Sequence, residues 1–180
     1  EVLTIQECGG SVHAIERGIE VARDLVAQAA LVERSETDLS RLVLGTNCGG
    51  SDATSGLTAN PTIGVVSDAV VGAGGTVMLG ETTELIGTED ILAARAADDA
   101  VAHDILRTVH GLEEEFDHAH VDVRGANPSP GNMRGGLSTL EEKALGGIVK
   151  GGTSFINEVV GYGEVPSRRG LVIMDTPGYD

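Results

Sequence analysis

The sequence predicts an α/β fold: a parallel sheet flanked by helices, three-layered and Rossmann-like, truncated at its C-terminus. Three observations predict it. Short apolar, β-branched runs alternate with longer segments whose apolar residues recur at helical spacing, the pattern of βαβ units. Runs at 42–44, 76–79 and 171–174 are each followed by a polar, glycine-rich or acidic loop. In a parallel sheet those loops share one edge, and ligands bind outside the carboxyl ends of the strands. The chain also stops just after a strand, inside such a loop, so the expectation is a fragment of a longer polypeptide.

The elements follow in order. Residues 2–5 are a short β-branched run, read as a strand. Cys8-Gly9-Gly10 is a turn, and Ser11 is placed to cap a helix from 12 to 32 through Val12, Ile15, Ile19, Ala22, Val26 and Ala29. Residues 35–40 are a polar linker. The strand at 42–44 leads into a glycine-rich loop from 45 to 56. Asn60-Pro61 then opens a helix, Asn as cap and Pro in the first turn, ending at the glycines of 72–75. After the strand at 76–79, Thr88 caps a helix to Ala97, with Glu89 and Asp90 where the helix dipole favours them. Asp98 or Asp99 starts another helix to about Phe116. Residues 127–132, with two prolines, are excluded from regular helix and central strand. Ser138-Thr-Leu-Glu141 reads as a capping box for a helix ending near Gly146 or Gly151.

Composition removes whole classes of function. The chain has 180 residues, with 28 Asp+Glu against 12 Lys+Arg and a net charge of −16. Nucleic-acid phosphates need clustered cations, and two Phe, two Tyr and no Trp leave almost no stacking surface, so nucleic acid is excluded as partner. The same charge opposes anionic membrane surfaces, and no apolar run approaches the roughly 18 residues of a spanning helix. Two cysteines make no disulfide framework, which points to a reducing cytoplasm. Glycine, 26 residues, is about twice its usual share of about 7% and clusters in the loops. Lysine occurs only at 143 and 150. An acidic, lysine-poor surface of this kind stays soluble when salt screens charge, as in proteins of salt-accumulating organisms.

Three segments carry chemistry. The loop at 45–56 packs Thr46, Asn47, Cys48, Ser51, Asp52, Thr54 and Ser55 among glycines, which let backbone N–H groups approach an anion or polar ligand. It lacks the Lys-Ser/Thr of a Walker A loop and the GxGxxG spacing of a dinucleotide fingerprint. Cys48 reads either as a small buried hydrophobe or as a nucleophile or ligand. The second segment is Glu81-Thr-Thr-Glu84, with carboxylates at a strand end, where they suit a divalent cation or proton transfer. Glu89 and Asp90 are explained by the helix start alone. In the third, 130–146, Asn132 and Arg134 are candidates to hold a substrate carboxylate or hydroxyl. Glu141 is accounted for as the capping-box partner. Lys143 is either a titratable amine retained for chemistry or an ordinary helix-surface lysine. His118-x-His120 reads as surface or as a metal pair, Asp175 as site or turn, and Glu113–Glu115 as a solvated face.

The segments GTNCGGSDATSGLTANPTIG, GETTELIGTEDILAARA, NPSPGNMRGGLSTLEEKALG and GLVIMDTPGYD resemble, in order from about Leu42 to Asp180, the altronate/galactarate dehydratase family of sugar-acid hydro-lyases. Met133-Arg134 stands where the family commonly has Lys-Ala, and Ala53-Thr54 where it often has Gly-Phe; both departures fall in site-like loops. The wider family includes a sulfolactate sulfo-lyase, which also eliminates a β-substituent. Residues 1–38 look like the end of a preceding domain or a connecting helix. Residues 39–180 look like the first part of the carboxy-terminal catalytic domain.

The resemblance implies removal of water from an aldonic or aldaric acid such as altronate or galactarate, giving a 2-keto-3-deoxy acid. It implies a divalent metal, Fe²⁺ or Mn²⁺, and a small-molecule sugar acid as partner, and it is compatible with a homo-oligomer. Sulfolactate-type elimination and a non-catalytic sugar-acid-binding module are the alternatives. Carried onto this chain, it implies Lys143, Glu84 and Asp52 as catalytic residues. Ser51, Ser55, Asn60, Asn132 and Arg134 are expected to bind substrate, and Cys48 and Glu81 to bind the metal.

Overall fold

A computed structural model describes residues 2–176, which fall into two compact units that divide between Thr37 and Asp38. In the first unit, α1 (Ser11–Ala29) is an amphipathic helix none of whose residues is buried. Its N-cap is Gly10, at a φ of 120° that glycine adopts readily, and Ser11 is the first helical residue rather than the cap. The strand expected at 2–5 is absent; residues 5–10 form turns. A lone short strand leaves its backbone groups unpaired, and the turn bonds Gly10 N–H to Ile5 O and Cys8 N–H to Thr4 O supply partners locally.

The second unit is α/β. Its strands are β1 (Val43–Thr46), β2 (Thr76–Leu79), β3 (Ile156–Val160) and β4 (Gly170–Met174), in the order β1-β2-β4-β3. All pairings are parallel, with Val43 opposite Thr76, Thr76 opposite Gly170, and Ile156 opposite Leu171. Its helices are α2 (Ala59–Gly72), α3 (Glu89–Ala93), α4 (Asp99–His118), α5 (Val123–Ala126), α6 (Pro130–Arg134) and α7 (Leu140–Gly147). Helix α2 packs on β2 and β4, and α4 on β3. Val77, Leu79, Ile156, Leu171 and Ile173 of the sheet join Leu85, Ile86, Leu92, Ile105 and Val109 in the core. Burial of such side chains contributes roughly 1.5–3 kcal/mol each.

Three of the strands expected in this unit stand where the sequence places them. β3 does not come from periodicity, because Asn157 and Glu158 interrupt its apolar residues. Their side chains hold the stretch 161–169 instead: Asn157 Nδ2 donates to Arg169 O at 2.6 Å, and Glu158 Oε1 accepts from Ser167 Oγ at 2.6 Å. β3 also shortens α3. Ala97 N–H donates to Ile156 O and Ile156 N–H to Arg95 O, both at 2.8 Å, so the chain leaves the helix at Ala93 to join the sheet edge.

Several caps differ from expectation. Asp98 caps α4 through Val101 N–H at 2.9 Å, as the sequence implies. Thr88 does not cap α3; its hydroxyl donates to Leu85 O at 2.7 Å. Asn60 does not cap α2; its amide donates to Gly146 O at 2.8 Å. The α7 box is shifted by one residue: Thr139 Oγ1 accepts from Glu142 N–H, and Glu142 Oε2 accepts from Ser138 N–H at 2.7 Å. Glu141 is thereby released to pair with Arg124 Nε at 2.7 Å. α6 begins inside the stretch excluded from regular helix, since Pro130 at its first turn needs no N–H and Ser129 forms a capping box with Asn132.

α2 is tied to the turn after α7. A Cβ on Gly64 would lie 2.5 Å from Val149 O, so only glycine permits that approach. Ser67 Oγ donates to Lys150 O at 2.7 Å. Asp68 accepts from the N–H and hydroxyl groups of both Thr153 and Ser154, at 2.8–3.1 Å. Burial raises the Asp68 pKa, but these hydrogen bonds together outweigh it and hold the carboxyl below its ordinary value.

Two predictions follow from charge. Asp68→Ala is expected to cost ~1.5–3 kcal/mol at pH 7 in chemical denaturation. A depressed native pKa contributes stability above the unfolded value and loses it as pH falls through the native one, so the difference from wild type shrinks in acid. With a net charge of −16, the melting temperature is expected to rise between about 0.1 and 1 M KCl as screening relieves self-repulsion. A fall would refute the salt-tolerant reading of the surface.

Candidate active site

Because all four strands are parallel, the loops after β1, β2 and β4 meet at one sheet edge. Past β2, Glu81 sits in the left-handed region at φ 66°, an uncommon conformation for a non-glycine residue. Its backbone N–H donates to Thr176 Oγ1 after β4, and Thr82 Oγ1 donates to Asp175 Oδ1 at 2.8 Å. Asp175 thus ties two strand ends together; the Pro-Gly turn beyond it lies outside the described residues.

Two buried ammonium groups organise this edge, and they belong to the only two lysines of the chain. Lys143, on α7, donates from Nζ to Glu84 Oε1 at 2.7 Å and to Asn127 Oδ1 at 2.9 Å. Asn127 Nδ2 donates to the same Glu84 oxygen at 3.1 Å. The Lys143 and Glu84 side chains are only 11% and 8% exposed, so their attraction is little screened. Glu84 Oε2 is buried and has no partner, a position left open for a hydrogen-bond donor.

Lys150 lies in the 3₁₀ turn Ile148–Gly151 that continues α7. Its Nζ is 3.0 Å from Cys48 Sγ and 3.4 Å from Glu81 Oε2, and Glu81 Oε2 also accepts Cys48 N–H at 2.6 Å. Burial pushes the Cys48 thiol up, and neither the hydrogen bond nor the charge of Lys150 reverses that. Burial alone would lower the Lys150 pKa, but contact with Cys48 and Glu81 raises it overall. Contact with Cys48 first, and with Glu81 after it, keeps Lys150 an ammonium despite its burial.

A cavity of about 60 Å³ opens beside these groups. Cys48, Ser51, Ser55, Asn60 and Lys143 line it. Asp52 also borders it, but its carboxylate accepts from Thr54 Oγ1 and Thr54 N–H at 2.7 Å, which hold its pKa low. Asn60 is anchored on Gly146 O, and Ser55 Oγ accepts from Asp52 N–H at 3.0 Å. Asn132 is buried, with Nδ2 on Ser51 O and Oδ1 taken by Ser129, so it fixes the loop that carries Ser51. Arg134 is exposed and outside the cavity wall. The structure thus brings Lys143, Cys48, Ser51, Asp52, Ser55 and Asn60 to one cavity. Glu84 and Glu81 stand behind it, and Arg134 lies apart.

Cys48 and Glu81 do not fit a divalent metal. The Lys150 ammonium already touches both, and a second cation there would face it at close range in a poorly screened site. Among the described residues no group of three or more His, Cys, Asp or Glu side chains is placed to hold a metal ion. No helix among them is long and apolar enough to cross a membrane.

Sequence reasoning left Asn127 and Lys150 without roles. Lys150 carried a signal, since it follows Lys143 by seven residues, two helical turns, and so shares its side of a continuous helical run. Asn127 carried none beyond lying next to a proline. The protonated state of Cys48 is directly measurable. At pH 7 native Cys48 is expected to react with iodoacetamide several-fold more slowly than Cys48 of the urea-unfolded chain, read by peptide mass spectrometry. Equal rates would contradict it.

The sequence compares closely with known enzymes. Residues 39–180 match the family model of the D-galactarate/altronate dehydratase C-terminal domain. Over 166 residues, 92% of this chain, it is 40% identical to altronate dehydratase of Bacillus subtilis, of which it covers 33%. It is 40% identical over the same length to galactarate dehydratase (L-threo-forming) of Escherichia coli, covering 32% of that protein. It is also 38% identical over 172 residues to the beta subunit of (2R)-sulfolactate sulfo-lyase of Chromohalobacter salexigens, covering 44% of it. The chain therefore spans about a third of the length of the dehydratases it matches. With this match over most of its length, the chain belongs to the D-galactarate/altronate dehydratase C-terminal family.

Proposed function

We propose that this chain supplies part of the active site of a sugar-acid dehydratase. The enzyme removes water from an aldonate or aldarate, such as altronate or galactarate, to give a 2-keto-3-deoxy acid. The buried Lys143–Glu84 pair carries this reading, because Lys143 faces the cavity while Glu84 backs it at 2.7 Å. The C2 proton beside a carboxylate is very weakly acidic. Its removal needs a base within reach and positive charge on the developing anion. Lys143, once its Nζ gives a proton to solvent, takes the proton from C2, and Glu84 Oε1 keeps that Nζ oriented at the cavity. Asn127 keeps Nζ aligned through its Oδ1. Lys143 becomes positive on taking that proton, and Lys150, behind Cys48, adds positive charge to this side of the cavity.

Ser51 and Ser55 in the cavity wall suit substrate hydroxyls, and Asn60 and Asn132 shape that wall. A cavity of about 60 Å³ is far below the roughly 300–1,000 Å³ of small-molecule sites, so it takes the reacting carbons and not a whole sugar acid. If the enzyme uses Fe²⁺ or Mn²⁺, the ligands come from outside the Cys48–Glu81 pair.

Glu84→Gln and Lys143→Ala in the whole protein are each expected to lower kcat by at least ~100-fold, assayed as 2-keto-3-deoxy acid formed from altronate and galactarate under anaerobic conditions with Fe²⁺ or Mn²⁺. Near wild-type kcat in both variants would refute the assignment. Release of sulfite from sulfolactate, with no keto acid from sugar acids, would move the protein to the sulfo-lyase reaction.

A further inference from the structure

Dehydration needs a second proton transfer. Hydroxide is a poor leaving group, so an acid must deliver a proton to the departing oxygen. The base at Lys143 cannot do this in the same step, because it is then accepting the C2 proton. Asp52 and Glu142 in the same cavity wall are held ionised by hydrogen bonds from Thr54 and Ser138, which leaves the Cys48 thiol as the most acidic group there that still carries its proton.

The surroundings of Cys48 fit that task. The sulfur accepts from Lys150 Nζ at 3.0 Å and from Ser51 Oγ at 3.9 Å, which leaves its own hydrogen to donate. Lys150 is held against it by Glu81 and by the bond from Ser67 Oγ to the Lys150 carbonyl. A thiolate formed here is born in contact with an ammonium, where weak screening makes the attraction strong. Burial keeps the thiol protonated in the resting state, as an acid must be. The ionisable groups around it are Lys150, Glu81 and Glu84 behind, and Lys143, Asp52 and Glu142 along the cavity wall.

We propose that Cys48 is the catalytic acid for the departing hydroxyl, and that Lys150 is the positioning residue that stabilises the thiolate it becomes. The proposal rests on the dehydratase reading above and deepens it. The step balances. The C2–H pair forms the C2–C3 double bond as the C3–O bond breaks. The C2 proton goes to Lys143, and the thiol proton goes to the leaving oxygen to make water. The enol takes a proton at C3 and loses its own, giving the 2-keto acid. The proton held at Lys143 then restores the thiol through solvent. This reading also gives the ammonium a purpose at a place where a metal does not fit.

The test is leaving-group dependence in the whole protein, with altronate and galactarate compared with their 3-deoxy-3-fluoro analogues, since fluoride departs without a full proton. Cys48→Ser and Cys48→Ala are expected to lose ~10²–10⁴-fold in kcat on the hydroxy acids and to recover most of it on the fluoro analogues. Lys150→Met should show the same recovery, with KM little changed. Because it strands Glu81, the double variant Lys150→Met/Glu81→Gln keeps the comparison open if the single one fails to fold.

Equal losses on both leaving groups would assign Cys48 a structural role and overturn the proposal. So would unchanged kcat of Cys48→Ser on the hydroxy acids while wild type turns them over. Loss of bound Fe²⁺ or Mn²⁺ from Cys48→Ser, measured by elemental analysis, would overturn it in favour of metal ligation. No turnover by wild type would overturn the dehydratase reading itself, and the proposal with it.

Discussion

Taking an ammonium out of water costs several kcal/mol even after the protein relaxes around it, and this chain does so twice along one sheet edge. Lys150 is 2% exposed and can be there only because Glu81 and Cys48 meet it. That contact requires three segments to converge: the loop after β1, the end of β2, and the turn after α7. Gly64, which lets α2 approach Val149 O, and Ser67, bonded to Lys150 O, hold that turn from behind. The left-handed backbone of Glu81, fixed through Thr176, brings the carboxylate in from the other side.

The second pair uses the same elements for a different end. Lys143 sits one side closer to the cavity, and Glu84 and Asn127 hold it from the protein side. One edge therefore presents an ammonium backed by a carboxylate and a thiol backed by a second ammonium. On the proposed reading, the first pair accepts a proton and the second releases one.

Much of this was legible in advance where the signal is local. Strands β1, β2 and β4 are β-branched runs, and their following loops hold the polar residues of the site. Asp98 caps α4 as its position implies. The misread elements share a cause, which is competition from distant partners. Thr88 turned to Leu85 O, Asn60 to Gly146 O, and the α7 box slid by one residue so that Glu141 could reach Arg124. β3 was hidden because Asn157 and Glu158 serve the loop at 161–169 and so break the apolar pattern.

The sequence by itself determined the α/β class, the edge at which function gathers, and the family, because patterning and loop motifs are properties of contiguous residues. It also marked the two lysines by their rarity. Only the tertiary structure decided where each sits and what it touches. Cys48, Glu81 and Lys150 are far apart in the chain, and Cys48 and Glu81 taken alone read equally as a metal pair. The position of Lys150 between them, set by the packing of α2 against the turn after α7, puts an ammonium where a metal was expected.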